Sequence, residues 1–269
     1  MNKPTISIGM PVYNGTHLIR EALDSLLAQT FTDFDLTISD NASTDDTEEV
    51  CLWYASRDKR IRYVRQPVNL GAAANFDYVL SEATGDYFMW AAADDTWGKR
   101  FLEVCKAALE KSPRAVGAIS NAVFGEVEGL ASGIDPLDAK MLPKRRVMFL
   151  TRPGPNARFY SLYRTDIVNK LGYNNYDFFA GDWAFIFDLL EHGSLITDMN
   201  YLGFFKHSFG AGSDTDGLKL SLQDQGLPLS VPMLSLLRHI YRRSILDAIL
   251  YLPFLVRLNY RTVRWLNSK

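Results

Sequence analysis

Four short apolar runs alternate with stretches of helical periodicity in the first part of the chain, and that alternation leaves few folds open. The first run, Ile6-Ser7-Ile8-Gly9-Met10, is rich in β-branched residues and breaks at Pro11-Val12-Tyr13-Asn14-Gly15. Leu18, Ile19, Ala22, Leu23, Leu26 and Leu27 then share one helical face. The second run, Asp35-Leu36-Thr37-Ile38-Ser39, ends in Asp40-Asn41-Ala42-Ser43-Thr44-Asp45-Asp46-Thr47. That loop is dense in side chains that bond their own backbone and cap helices, and a helix to Arg57 follows. The third, Ile61 to Arg65, leads through Gln66-Pro67-Val68-Asn69-Leu70-Gly71 to a small-residue helix opening with Ala72-Ala73-Ala74-Asn75. The fourth is Gly85-Asp86-Tyr87-Phe88-Met89-Trp90-Ala91-Ala92-Ala93, closed by Asp94-Asp95. Strands and helices at this spacing imply right-handed βαβ units and an α/β fold with a mostly parallel central sheet.

In such sheets ligands collect beyond the carboxyl ends of the strands, which is where Asp94 and Asp95 are expected. Carboxylates there suit a divalent ion that grips a diphosphate. The competing reading is that the pair caps a following helix. The Asp40 loop carries the same two readings, a helix cap or a carboxylate that accepts from a base N–H while nearby amides and hydroxyls satisfy a ribose. Neither GxGxxG nor GxxxxGK[ST] occurs, so any nucleotide is held by another device.

The chain has 269 residues, enough for one large domain or a domain with an appendage. A net charge of −2 argues against a general nucleic-acid binder. Cys51 and Cys105 show no metal or disulfide spacing, which suggests a reducing compartment. Met1 to Thr5 offers no signal peptide, and nothing reaches the roughly 18 apolar residues of a spanning helix. The expectation is a cytoplasmic protein, peripheral at the inner face of the membrane if its tail binds lipid.

Four pieces, Pro11-Val12-Tyr13-Asn14, the Asp40 to Thr47 loop, Asn69-Leu70-Gly71-Ala72-Ala73-Ala74-Asn75 and the strand ending Asp94-Asp95, occur in an order and spacing that resembles the inverting glycosyltransferases of family 2. The resemblance covers about the first 100 residues. It implies a GT-A fold and transfer of a sugar from a nucleotide sugar, UDP-linked by preference, to a saccharide, lipid-linked or surface-glycan acceptor with inversion. It also implies that Pro11, Tyr13, Asn14 and Asp40 line the nucleotide, and that Asn69, Gly71 and Asn75 shape the sugar-nucleotide side of the cleft. Asp94 is implied to contact a Mn²⁺ or Mg²⁺ ion. The position two before it, an Asp in many members, is Ala92 here, which weakens the metal expectation. A non-catalytic nucleotide- or glycan-binding protein of the same fold is the alternative. A sugar nucleotidyltransferase is disfavoured, because Pro11 to Thr16 is not a Gly-rich basic phosphate loop.

In the second half, Ala115 to Asn121 reads as a strand and Val123 to Lys144 as irregular. Lys144-Arg145-Arg146 is a basic cluster, either a solvated surface or a contact for an anionic acceptor. Tyr176 to Trp183 opens a helix that runs to Gly193, and the resemblance makes Asp182 the candidate base. Tyr201 to His207 reads as a strand, and the resemblance implies that Lys206 or His207 neutralises the leaving phosphate, with His207 also a candidate metal ligand. Ser208 to Gly217 reads as a loop that closes over the donor.

The expected organisation is a glycosyltransferase domain over 1–226, with a nucleotide-sugar half at 1–121 and an acceptor half at 122–226, then a basic amphipathic helical segment at 227–269. From Arg238 onward, Arg238, Arg242, Arg243, Arg257, Arg261, Arg264 and Lys269 face one acid, Asp247. Such a segment lies in an anionic membrane interface, or packs as a hairpin, kinked at Pro253, on the domain or on a second copy in a homodimer.

Overall fold

Alternation along the first strand sets the two faces of the sheet. In β1 (Ile6–Val12), Ile6, Ile8, Met10 and Val12 enter one apolar cluster. Gly9 faces the other side, where a Cβ would come within 2.6 Å of Val79 on α3 (Ala72–Ser81). The strand is therefore covered on both faces, as a central parallel strand must be. The computed structural model describes residues 3–124, 135–151, 157–206 and 215–267.

β1 pairs in parallel with β2 (Phe34–Asp40) and with β4 (Tyr87–Trp90), and β2 pairs in parallel with β3 (Ile61–Arg65). Helices α1 (Ile19–Leu27), α2 (Thr47–Ala55) and α3 are the crossovers. Beyond β4 the pattern changes. A three-residue strand, β5 (Asp95–Trp97), precedes α4 (Phe101–Lys111) and β6 (Ala115–Phe124). Then come α5 (Leu142–Thr151), β7 (Leu162–Arg164), α6 (Thr165–Leu171), α7 (Gly181–His192) and β8 (Ser194–Lys206). Helices α8 (Thr215–Asp224), α9 (Leu234–Arg243) and α10 (Ile245–Leu266) complete the chain. The sheet order is β3-β2-β1-β4-β7-β6-β8-β5, with β7 antiparallel to both its neighbours and β5 antiparallel to β8.

Two apolar clusters sandwich this sheet. Tyr87, Met89 and Ala91 join the cluster under α1, α2 and α4, while Phe88 and Trp90 join the one under α3 and α7. Trp90 is fully buried and stacks on Phe159 at 4.8 Å and 12°, with Phe185 edge-on at 5.3 Å. Its indole N–H donates to the Phe76 carbonyl at 3.0 Å. One side chain thus ties β4 to the second half of the molecule.

Three sequence expectations change. Asp94 and Asp95 cap no helix, because α4 begins only at Phe101 and Asp95 opens β5 instead. The stretch expected to be irregular up to Lys144 contains the start of α5 at Leu142, while 125–134 lies outside the described residues. The C-terminal segment is a hairpin whose α10 runs as one helix through Pro253, although proline withdraws a helical N–H there.

Candidate active site

The loops after β1 and β2 are laced together by short polar side chains. Asn14 sits at φ 52° and uses its Oδ1 to accept from the Thr44 amide at 2.8 Å, while its own amide donates to Ser43 Oγ at 2.9 Å. The Gly15 amide donates to Thr47 Oγ1 at 2.8 Å and the Thr16 amide to Asp45 at 3.2 Å. Slight burial pushes the Asp45 carboxyl up, but hydrogen bonds from Thr16 and Thr47 outweigh it and bring it down to about 2. Ala42 shares the left-handed conformation, at φ 60°, so both loops hold a non-glycine residue in a sparsely populated region.

Asp40 is fully buried at the end of β2. Its Oδ1 accepts from the Ser43 amide at 2.8 Å, and its Oδ2 from the Tyr63 hydroxyl at 2.7 Å and Arg65 Nη1 at 2.9 Å. A carboxylate offers about four acceptor positions, so these three donors leave one unused. Tyr63 and Arg65 were not among the sequence candidates. The parallel register that sets Asp40 beside Arg65 is the signal that finds them. Tyr13 is half-exposed at the mouth of the same loops, and Pro11 is buried in β1 opposite Ser39.

Asn41 carries the lacing one loop further. Its amide donates to Asn69 Oδ1 at 2.9 Å and to the Gly71 carbonyl at 3.2 Å, and its Oδ1 accepts from the Leu70 amide at 2.8 Å. Gly71, at φ 83°, uses a conformation that favours glycine and delivers the chain into α3. Asn75 lies buried beneath, its amide donating to the Ser39 carbonyl at 3.0 Å and its Oδ1 accepting from Ser39 Oγ at 2.6 Å. Asn75 therefore fixes the end of β2 from below, with its polar atoms turned to Ser39.

Beyond the carboxyl end of β4, Asp94 is part-exposed in the turn between β4 and β5, and Asp95 is buried at the start of β5. Asp95 pairs in register with Lys206, so the end of β8 lies directly against the acid pair. His207 and the expected closing loop from Ser208 onward fall outside the described residues up to 214, and α8 begins at Thr215. Asp182 stands in the first turn of α7, part-exposed. Tyr160 lies within electrostatic reach of these acids. Burial, then the negative charges of Asp95, Asp94 and Asp182, push its phenol well above the ordinary value, so it keeps its proton and can donate. Its ring stacks on Phe204 of β8 at 5.8 Å and 22°. Asn156-Ala157-Arg158-Phe159-Tyr160 carries no motif or periodicity, so no sequence signal singled it out.

The start of α7 is fixed by a close approach. A Cβ at Gly181 would lie 1.8 Å from the Tyr176 carbonyl oxygen, which explains Gly-Asp at this helix start. Farther along α7, Asp188 is fully buried and accepts from the Tyr176 hydroxyl at 2.9 Å and Arg243 Nη1 at 3.1 Å, with His239 Nε2 at 2.8 Å. The basic cluster of α5 is neither a solvated surface nor an acceptor contact at Arg145 and Arg146. Both are buried and donate to carbonyls near the end of α7, Arg145 to Leu190 at 2.8 Å and Arg146 to Phe187 at 3.0 Å. Guanidinium groups there satisfy orphan carbonyls and the negative end of the helix dipole. Arg146 also binds Asp247 of α10 at 3.0 Å.

The donor set suits a divalent ion that arrives with a diphosphate. Among the described residues no group of three or more His, Cys, Asp or Glu could by itself hold a metal ion. Asp94 is a part-exposed carboxylate in the turn just beyond β4. Mg²⁺-type sites commonly use one or two carboxylates plus substrate phosphates.

A family model for glycosyl transferase family 2 matches residues 7–194. The chain is 36% identical over 109 residues to a Bacillus subtilis (strain 168) protein provisionally named glycosyltransferase EpsE, covering 40% of this chain and 39% of that one. It spans only 13–40% of the length of the curated relatives it matches. Its fold superimposes on S. aureus TarS 1-349 with a TM-score of 0.66 at 16% identity, covering 97% of this chain and 72% of that one. TarS has also been solved with UDP-GlcNAc. Mannosyltransferase PcManGT from Pyrobaculum calidifontis, in complex with GDP-Man and Mn²⁺, matches with a TM-score of 0.58 at 18% identity, covering 97% and 74%. The fold is thus GT-A-like, and with the family match spanning most of its length, the chain belongs to glycosyl transferase family 2.

Proposed function

We propose that this chain transfers a sugar from a nucleotide sugar, UDP-linked by preference, to a hydroxyl of a saccharide, lipid-linked or surface-glycan acceptor, with inversion at the anomeric carbon. The placement of Asp40 at the carboxyl end of β2 and of Asp94 just beyond β4, on the edge where α/β sheets bind ligands, carries this reading. Pro11, Tyr13, Asn14 and Asp40 form the nucleotide end, and the Asn69–Gly71 turn, fixed by Asn41, borders the sugar. Residues 1–121 then serve the donor and 122–226 the acceptor.

In the proposed step the acceptor oxygen attacks the anomeric carbon while its proton passes to Asp182. The bond to the diphosphate breaks, and its electron pair leaves with the nucleoside diphosphate. The anomeric centre passes through an oxocarbenium-like state, as in glycoside hydrolysis. Asp94 would hold a Mn²⁺ or Mg²⁺ ion, which supplies charge to offset the departing phosphate. Lys206 at the end of β8, and His207 beside it, would add positive charge to the same group, with His207 a second candidate metal ligand. The free, buried Cys51 and Cys105 suit a reducing compartment, and the reading places the work in the cytoplasm.

The test is incubation with a panel of nucleotide sugars and saccharide acceptors in Mn²⁺, following nucleoside diphosphate release and the anomeric configuration of the product by NMR. Inverted product that disappears with Asp182→Asn supports the proposal. Retained configuration, or turnover indifferent to that substitution, contradicts it.

A further inference from the structure

The C-terminal hairpin has two faces of opposite character. On α10, Ala248, Tyr251, Leu255, Leu258 and Leu266 are buried against α5, α7 and α9. At 100° per residue the opposite face of its first three turns presents Ile245, Leu246, Ile249, Leu250, Pro253 and Val256. All are exposed, Leu246 to 80%, Ile249 to 66% and Val256 to 60%. No acid interrupts this face, since Asp247 points toward Arg146. Isolated exposed apolar residues are ordinary, but a contiguous patch of this kind marks an interaction site.

Its flanks are basic at both ends. Arg238 and Arg242 are exposed on α9 before the patch, and Arg257, Arg261 and Arg264 are exposed after it, with Tyr241 and Tyr260 half-exposed among them. That pattern decides the occupant. A second copy packing this face on itself, parallel or antiparallel, would set arginines of one chain against arginines of the other with no acid to offset them. An anionic lipid surface satisfies both parts, acyl chains taking the apolar turns and phosphate headgroups the arginines. No helix among the described residues is long and apolar enough to cross a membrane, so contact is in the plane.

We propose that the outward face of α10, with the arginines beside it, docks the chain on an anionic lipid surface. The hairpin is also bolted to α7 by Asp188, His239 and Arg243, and to α5 by Arg146 and Asp247, so whatever holds α10 holds the helix that carries Asp182 in its first turn. A lipid-carried acceptor would thereby be met by a catalytic body already at its surface. The docking stands on the α9–α10 surface alone and survives if the sugar-transfer reading fails.

The test uses the full chain in flotation with vesicles of phosphatidylcholine alone or mixed equally with phosphatidylglycerol, at low and high salt, beside sedimentation velocity without lipid. Binding to the phosphatidylglycerol vesicles that weakens with salt is expected. Arg242→Gln, Arg257→Gln and Arg264→Gln should each lower it about five-fold, and Leu246→Asp with Ile249→Asp should abolish it. Unchanged circular dichroism and melting of each variant show that folding is intact. Absence of binding to phosphatidylglycerol vesicles overturns the proposal. So does equal binding by the Leu246→Asp, Ile249→Asp variant, or a lipid-free dimer that this variant disperses.

Discussion

The two sides of the cleft are built by different means. The side proposed to bind the donor is tied by short polar side chains reaching neighbouring loops, such as Asn14 to Thr44, Asn41 to Asn69 and Asp45 to Thr16. The side proposed to bind the acceptor is held by arginines buried at the end of a helix, by one buried aspartate serving three partners, and by the rings of Phe159 and Phe185 packed on Trp90 of the other half. Short side chains can position loops only where backbone geometry already brings them close. Long buried cations can fix elements far apart in sequence, but their removal strands carbonyls and carboxylates in the interior. Substitutions on the donor side should therefore alter loop geometry and binding, and those on the acceptor side catalysis or global stability.

The largest expected effect is catalytic. Asp182→Asn should lower turnover by about 10³-fold, within the range for loss of a general base, while leaving nucleotide affinity unchanged. Steady-state kinetics beside nucleotide titration reads both, and a shared loss would move Asp182 to the donor side. Next, Arg146→Met removes the guanidinium that joins Phe187, Glu191 and Asp247. Urea denaturation should show a loss of about 3 kcal/mol, and a loss close to zero would mean that α5 does not hold α7.

Asn75→Ala tests the donor side from beneath, since it leaves the buried Ser39 carbonyl and hydroxyl with fewer partners. A loss of about 2 kcal/mol is expected in the same assay, with weakened nucleotide binding as the end of β2 loosens. The smallest effect concerns acid. Asp45 titrates lower in the folded chain than the ordinary 3.8, so its stabilising contribution is complete above that value and is lost as pH falls toward about 2. Asp45→Asn should make the stability curve shallower in that window and leave it parallel to the parent near neutrality.

Legibility in the sequence follows the same division. The runs that became β1 to β4 and helices α1 to α3 were readable because alternation, loop chemistry and helix periodicity are local signals. Asp40, Asn69, Gly71 and Asp94 fell on the loops expected of them for that reason, and Asp182 on the first turn of its helix. The three-residue β5 and β7 were not readable, since strands so short exist only through pairing with β8, β4 and β6. Arg145 and Arg146 looked like a surface cluster because their partners on α7 and α10 lie 41 to 101 residues away. Tyr160 gave no signal at all, its place being set by packing against Phe159 and Phe204.

The central claim, that the cleft between Asp40 and Asp94 holds a nucleoside diphosphate, is tested most directly by calorimetric titration of UDP, GDP, CDP and dTDP, with and without Mn²⁺, into the parent chain and Asp94→Ala. The account predicts binding of one nucleotide, UDP by preference, that Mn²⁺ strengthens and Asp94→Ala uncouples from the metal. A folded protein that binds none of the four would contradict it.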